Sequence, residues 1–293
     1  MNWRSVTLVA ATIALLFTGC SRLFWELEPE VSAKAEAVLR EGLHGDEFWP
    51  SMHAAEALTI AGFGAEVRSV LEPKLALEQD DQRRCGLARE LVRAGDENRA
   101  EVMIDILVGD DLHGHVHAAE SLFKVGWPGE AAPVRDAFDQ NENTILRLMA
   151  AAALAKHSYA DDRAAALVFL RETMMSAEEP DNFRIAAWVL ARTGDSSDVA
   201  RIRARLPGTD DERVRSFLDH ASAVLGDPEG RTALQSNLNS SNSAIRTYAA
   251  TFAGEAAVFE ATSQLIQLLD DENLDTRIRA AQALFTLRKI SSL

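Results

Sequence analysis

The feature that most constrains this chain is a nine-residue pattern that recurs along it. The pattern is clearest at residues 276–284, Thr-Arg-Ile-Arg-Ala-Ala-Gln-Ala-Leu, and gap-free copies also start at Pro50, Arg83, Gly114, Leu146, Asn182, Val214 and Ile245. Successive starts lie 33, 31, 32, 36, 32, 31 and 31 residues apart. Self-similarity at that period marks a stack of supersecondary units, none of which buries its apolar face alone.

The positions within the pattern have a physical order. The fifth is apolar in every copy (Ala54, Leu87, Ala118, Ala150, Ala186, Leu218, Ala249, Ala280), and the sixth is Ala except at Asp219. The ninth is Leu in the first five copies and the last, and Ser222 or Ala253 in the other two. Positions one, five and nine fall a helical turn apart and predict one buried stripe. Alanine there lets a second helix approach closely. The seventh position is mainly polar (Glu56, Arg89, Glu120, His220, Thr251, Gln282), so that side is expected to face water.

After each copy the chain breaks and restarts. Gly62, Gly95, Gly126, Gly194 and Gly226 are expected to end the helices in the left-handed conformation, and a second apolar helix follows, as at Val67/Val70/Leu71 or Leu265/Leu268/Leu269. Acidic pairs such as Asp80-Asp81, Asp110-Asp111, Asp210-Asp211 and Asp270-Asp271 precede the next first helix, where carboxylates suit its positive end. Arginines at position two (Arg84, Arg147, Arg215, Arg246, Arg277) are expected to pair with the acidic turns of neighbouring units.

On these residues, above all Val214-Arg215, Ile245-Arg246 with Ala249-Ala250, and Thr276-Arg277 with residues 280–284, the chain resembles the HEAT-like repeat family in its short, phycobilin-lyase-type form. The expectation is an all-α solenoid, a superhelix of about eight helical hairpins spanning residues 46–293 with the last one truncated. The resemblance implies first helices on the convex side and second helices lining a concave groove. Residues 30–45, with Val31, Ala35, Val38, Leu39 and Leu43 on one side, read as an amino-terminal capping helix.

The chain starts Met1-Asn2-Trp3-Arg4 and then runs uncharged to Gly19, a basic start and short apolar core that describe a secretory signal over residues 1–19. The run is shorter than the ~20 residues that span a bilayer. Thr18-Gly19-Cys20 resembles a bacterial lipoprotein box, which implies cleavage before Cys20 and lipid attachment there; Ser21 after it resembles outer-membrane sorting. Residues 20–29 are then anchor and linker, a span of only ~30 Å when extended. Leu23, Phe24 and Trp25 in it suit either the lipid interface or docking onto the first repeat. The expected address is the bacterial cell envelope, at the periplasmic face of the outer membrane.

A net charge of −15, with 45 acidic against 30 basic residues, argues against a nucleic-acid partner, since phosphate binding needs clustered Lys and Arg. With Cys20 assigned to lipid, Cys85 has no disulfide partner; Arg83 and Arg84 beside it would lower a thiol pKa, but an inert helix cysteine is the plainer reading. His113, His117 and Glu120 share one face of an uninterrupted helix and are weak zinc candidates. His53 and Glu56 repeat the same spacing, which also suits packing. Trp49, Trp127 and Trp188 are binding candidates; Trp188 takes the usually polar seventh position and is expected to be exposed, although each ring also suits a gap between units.

Deoxyhypusine hydroxylase is similar in fold class and holds a di-iron centre with His-Glu pairs, but no His-Glu dipeptide occurs here. Neither a phosphate-binding glycine loop nor a serine-nucleophile elbow is present. The expectation is therefore a chain that is not an enzyme and needs no cofactor: a membrane-anchored scaffold for another cell-envelope protein. The alternative is a sugar- or metal-binding accessory lipoprotein, and the weakest reading is a HEAT-like lyase or hydrolase.

Overall fold

The computed structural model describes residues 26–126, 129–139, 142–157 and 160–292. Cys20, residues 23–25 and Trp127 lie outside them. The described residues are helical, without strands. In chain order the first eight helices are α1 (Pro29–His44), α2 (Phe48–Ala61), α3 (Gly64–Leu77), α4 (Asp81–Arg93), α5 (Ala100–Val108), α6 (His115–Val125), α7 (Ala132–Asp139) and α8 (Thr144–His157). The remaining eight are α9 (Ala160–Ser176), α10 (Pro180–Thr193), α11 (Val199–Arg203), α12 (Glu212–Val224), α13 (Pro228–Asn237), α14 (Ser243–Glu255), α15 (Thr262–Gln267) and α16 (Leu274–Ser291). The fold class is the expected all-α solenoid. The eight copies of the pattern are the even-numbered helices.

The fifth and ninth side chains pack as the pattern requires, whereas at the first position Arg83 is exposed and Pro50 and Asn182 are half-buried. Every fifth-position residue is buried, and so is every ninth-position residue. Each fully buried Leu contributes roughly 1.5–3 kcal/mol, and the alanines beside it let neighbouring helices approach to van der Waals contact. Gly62, Gly95, Gly126 and Gly226 have φ of 103°, 100°, 73° and 94° and end α2, α4, α6 and α12 as expected. Gly194 departs from that expectation with φ −83° and ψ −158°, which is extended backbone. A Cβ there would lie 2.5 Å from Asp198 Oδ2 and 2.8 Å from the Leu190 carbonyl, so lack of space selects glycine. Asp80 and Asp211 cap α4 and α12, accepting from Arg83 N at 2.9 Å and Val214 N at 3.0 Å.

Two expectations about arrangement are corrected. The first helices do not form the convex side. They pack side by side as an inner layer, each even-numbered helix against the next, with the odd-numbered helices outside. Nor does α1 merely cap the first repeat, because α16 packs against α2 and α1 packs against both. The solenoid therefore closes into a ring.

The seam is tightly made. His53 Nδ1 lies 2.7 Å from Asp275 Oδ1, Arg279 donates to Glu56 at 3.1 Å, and Arg277 donates to Glu41 at 2.6 Å. A Cβ on Gly42 of α1 would stand 3.0 Å from Ala54 Cβ of α2 and 2.5 Å from Ile278 Cδ1 of α16, so three helices meet where only glycine fits. One apolar cluster runs through this junction, joining Leu39 and Leu58 from the start of the chain to Ala280 and Leu284 from its end. The helix expected as a cap thus stands as an outer helix across the junction of α16 and α2.

The arginine ladder is mostly something else. Arg246 does pair with Asp271 of the next turn, at 2.7 and 3.0 Å. Arg147 donates instead to Phe138 O, Arg215 to Leu206 O and Thr209 O, Arg246 also to Ser240 O, and Arg277 to Asp271 O. These carbonyls lie at the end of the preceding outer helix or in the turn after it. Four of the five thus supply a cation to carbonyls at the end of an outer helix, whereas Arg84 pairs with Asp81 of its own turn at 2.6 Å.

Candidate ligand site inside the ring

Ring closure turns one face of every inner helix toward a shared cavity of about 560 Å³. Among the described residues, all of its lining side chains belong to even-numbered helices, and all eight contribute. The lining follows the helical period. Position four supplies His53, His117, Met149, Ile185, Phe217, Tyr248 and Arg279. Position seven supplies Glu56, Arg89, Glu120, Trp188, Thr251 and Gln282, and position eleven Arg93, Lys124, Lys156, Arg192 and Glu255. The polar seventh position therefore faces this cavity, and its side chains are half-buried or buried: Arg89 is 4 % exposed and Gln282 8 %.

The wall is electrostatically distinct from the rest of the molecule. It carries seven cationic side chains (Arg89, Arg93, Lys124, Lys156, Arg184, Arg192, Arg279) against four carboxylates (Glu56, Glu120, Glu255, Asp275), in a chain of net charge −15. Glu90, fully buried beneath them, accepts from Arg89 at 2.6 Å and from Arg93 at 2.9 Å. Arg93 also reaches Glu56 at 2.9 Å, and Glu56 meets Arg279 across the seam.

Burial alone would raise the Glu56 carboxyl, but Arg93 and Arg279 outweigh it and hold the group well below the carboxylate range. Glu120 is likewise pulled down to about 2, burial being overcome by Lys124, 2.6 Å away, and by Arg89. Both carboxylates are ionised at neutral pH. His53 and His117 are shifted down, chiefly by burial, so their rings are neutral there. The wall keeps its positive excess.

The aromatic residues make the rest of the surface. Trp49, 37 % exposed, stacks on His117 with ring centroids 5.4 Å apart. Trp188 is half-buried rather than exposed: it meets Phe123 edge-on at 5.3 Å and carries the Arg192 guanidinium 4.5 Å from its ring. Its seventh position is an inner-wall position, which accounts for the difference. Tyr248, 40 % exposed, packs on Phe217 at 4.4 Å.

The histidine and cysteine candidates separate. His113 sits on a short 3₁₀ turn before α6 and pairs with Asp80 at 3.1 Å on the outside, whereas His117 and Glu120 line the cavity. The uninterrupted helix that would align all three is absent because α6 begins at His115. Among the described residues no group of three His, Cys, Asp or Glu side chains is placed to hold a metal ion. Cys85 is fully buried, and its thiol is pushed up to about 12 by burial and then Asp81, against the pull of its arginine neighbours.

Sequence reasoning named Trp49, Trp188, His117 and Glu120 but missed Arg93, Lys124, Lys156 and Arg192. The signal was a cation at the eleventh position of four successive copies. That position lies two residues beyond the nine that define the repeat.

No protein-family model matches the chain, and no curated protein matches it. Among solved structures, human deoxyhypusine hydroxylase in complex with glycerol is similar at 14% identity, over 89% of this chain and 98% of that one, with a TM-score of 0.42. An engineered protein is similar at 17% identity, over 85% and 77%, with a TM-score of 0.34. By its own helices the protein is an all-α solenoid of helical hairpins. The expectation that the chain is not an enzyme is withdrawn, because one of the structures it is similar to is itself an enzyme. A likeness at this level transfers no activity.

Proposed function

We propose that this is a small-molecule-binding protein whose site is the cavity at the centre of the ring, held at the bacterial envelope through Cys20. The supporting observation is the inner stripe itself: eight successive helices turn charged and aromatic side chains toward one cavity while keeping alanine and leucine for the seams. A volume near 560 Å³ falls in the range of ligand pockets, and convergent polar groups on an apolar frame are what such pockets share. A concave groove of second helices, on which a docking scaffold would depend, gives way to a ring with those helices outside.

The test is native mass spectrometry of protein incubated with an envelope metabolite extract, with Thr251→Trp as the blocked control. Thr251 lines the cavity and is half-buried, so an indole there fills part of it. The expected result is a defined bound mass on the wild type that the variant loses. The same bound masses on both proteins, or none on either, would overturn the reading.

A second reading, docking of another envelope protein, draws on the outer surface, where Leu77, Val108 and Leu112 at the ends of two successive outer helices are 80 %, 60 % and 70 % exposed. Crosslinking in native membranes tests it, with a stoichiometric partner expected on the wild type and lost from a triple Ser variant.

A further inference from the structure

Resting on the cavity reading, we infer that the ligand is an organic anion whose acidic group binds Lys156 and whose apolar body lies along the aromatic wall. Four consecutive inner helices, α4, α6, α8 and α10, each place a cation at the eleventh position: Arg93, Lys124, Lys156 and Arg192. Three of these are held by carboxylates. Arg93 meets Glu56 and Glu90, each at 2.9 Å, Lys124 meets Glu120 at 2.6 Å, and Arg192 meets Glu255 at 2.6 Å.

Lys156 is different. Among the described residues no carboxylate pairs with it; its ammonium donates to Phe123 O at 3.3 Å and lies 5.0 Å from the Phe123 ring. An ammonium has three donors; one makes a long bond to a carbonyl, and on this exposed side chain the other two face water, which an oxyanion can replace. Burial, then Arg93 and Arg192, lower its pKa, with Glu255 opposing, so it stands in a field short of negative charge. An incoming oxyanion would supply that charge.

Helix C-termini favour cations, and all four residues lie near such ends. That preference does not explain the arrangement. The eleventh pattern positions on α2, α12, α14 and α16 are Ile60, Val224, Glu255 and Thr286, so cations at this position are confined to one arc of the ring. It also does not explain why the arc faces the cavity. Beside it the wall is apolar: Arg192 lies over Trp188 and, 5.1 Å away, over Phe252, with Met149 and Ile185 also lining the cavity. This suits a carboxylate, sulfonate or phosphate monoester on an aromatic or aliphatic body.

The experiment compares two probes of equal shape, 1-naphthaleneacetate and the neutral 1-naphthaleneacetamide, by titration calorimetry on the full chain against matched detergent blanks. Wild-type protein is expected to bind the acetate about tenfold more tightly, a difference of about 1.4 kcal/mol. Lys156→Met should remove that preference while leaving amide binding in place. Lys156→Arg should retain it, and Thr251→Trp should weaken both probes. Equal affinity of the wild type for the two probes, or an unchanged preference in Lys156→Met, overturns the anion assignment and leaves the cavity reading standing. Binding of neither probe overturns both.

Discussion

Glu90 and His220 show how individual residues set the conditions under which the ring is stable. Glu90 is fully buried and satisfies two arginines, of which Arg89 is itself buried. Removing the carboxylate strands a buried guanidinium, so Glu90→Leu should lose about 3–5 kcal/mol in chemical denaturation. Pairing it with Arg89→Met should recover most of that, because an apolar pair needs no counter-charge. His220 accepts from the Asn237 amide through Nε2 at 3.0 Å, which leaves the proton on Nδ1. Burial lowers its pKa from 6.5 to about 3. The unfolded chain therefore binds the proton first as pH falls. The contribution of His220 is full above 6.5 and is lost progressively down to about 3, with a slope of up to about 1.4 kcal/mol per pH unit. Denaturation midpoints at pH 7 and pH 5 should therefore separate less in His220→Leu than in the wild type. The depressed pKa of Glu120 acts in a lower window, between 4.5 and about 2, so it does not mask that comparison.

At the scale of the element, the hairpin was legible in the sequence because its determinants are local. The alanines at five and six, the leucine at nine, the capping aspartates and the left-handed glycines each act within a turn or two of their own position. Arg246 marks where local reasoning stopped short. Its guanidinium holds Asp271 bidentately while also donating to the Ser240 carbonyl, so one side chain joins the end of one outer helix to the start of the next inner one. Burial raises the Asp271 carboxyl, and Arg246 more than offsets this, leaving its pKa low. Arg246→Met should lose about 3 kcal/mol of unfolding free energy because it leaves the 7 %-exposed Asp271 side chain without its partner. Arg277, whose acidic partner Glu41 is 58 % exposed, should lose about 1 kcal/mol or less on the same substitution. The repeat motif gives the two arginines the same standing; only burial distinguishes them.

The ring itself was not legible, and neither was the site it creates, because closure depends on the summed rotation of eight units and no single residue encodes a sum. Traces of it exist at the ends of the chain. A terminal helix of an open array needs a polar outer face, whereas α16 buries Ile278 and Phe285 along with its alanines, and α1 carries Gly42 among residues that otherwise favour helix. With α1 packed across α16 and α2, His53, Glu56, Asp275 and Arg279 become neighbours across more than 200 residues of sequence, as the separations of 222 and 223 record. The cavity is therefore a property of closure, and its integrity is testable at the seam. Gly42→Leu drives a side chain against Ala54 and Ile278, where overpacking costs about 1–3 kcal/mol. The expected outcome is a lowered melting temperature and faster proteolysis between α1 and α2, with small-angle scattering shifting from a compact ring toward a longer, open particle. Unchanged scattering with weakened ligand binding would place the damage in the wall instead, and a wild-type profile already matching an open superhelix would contradict closure.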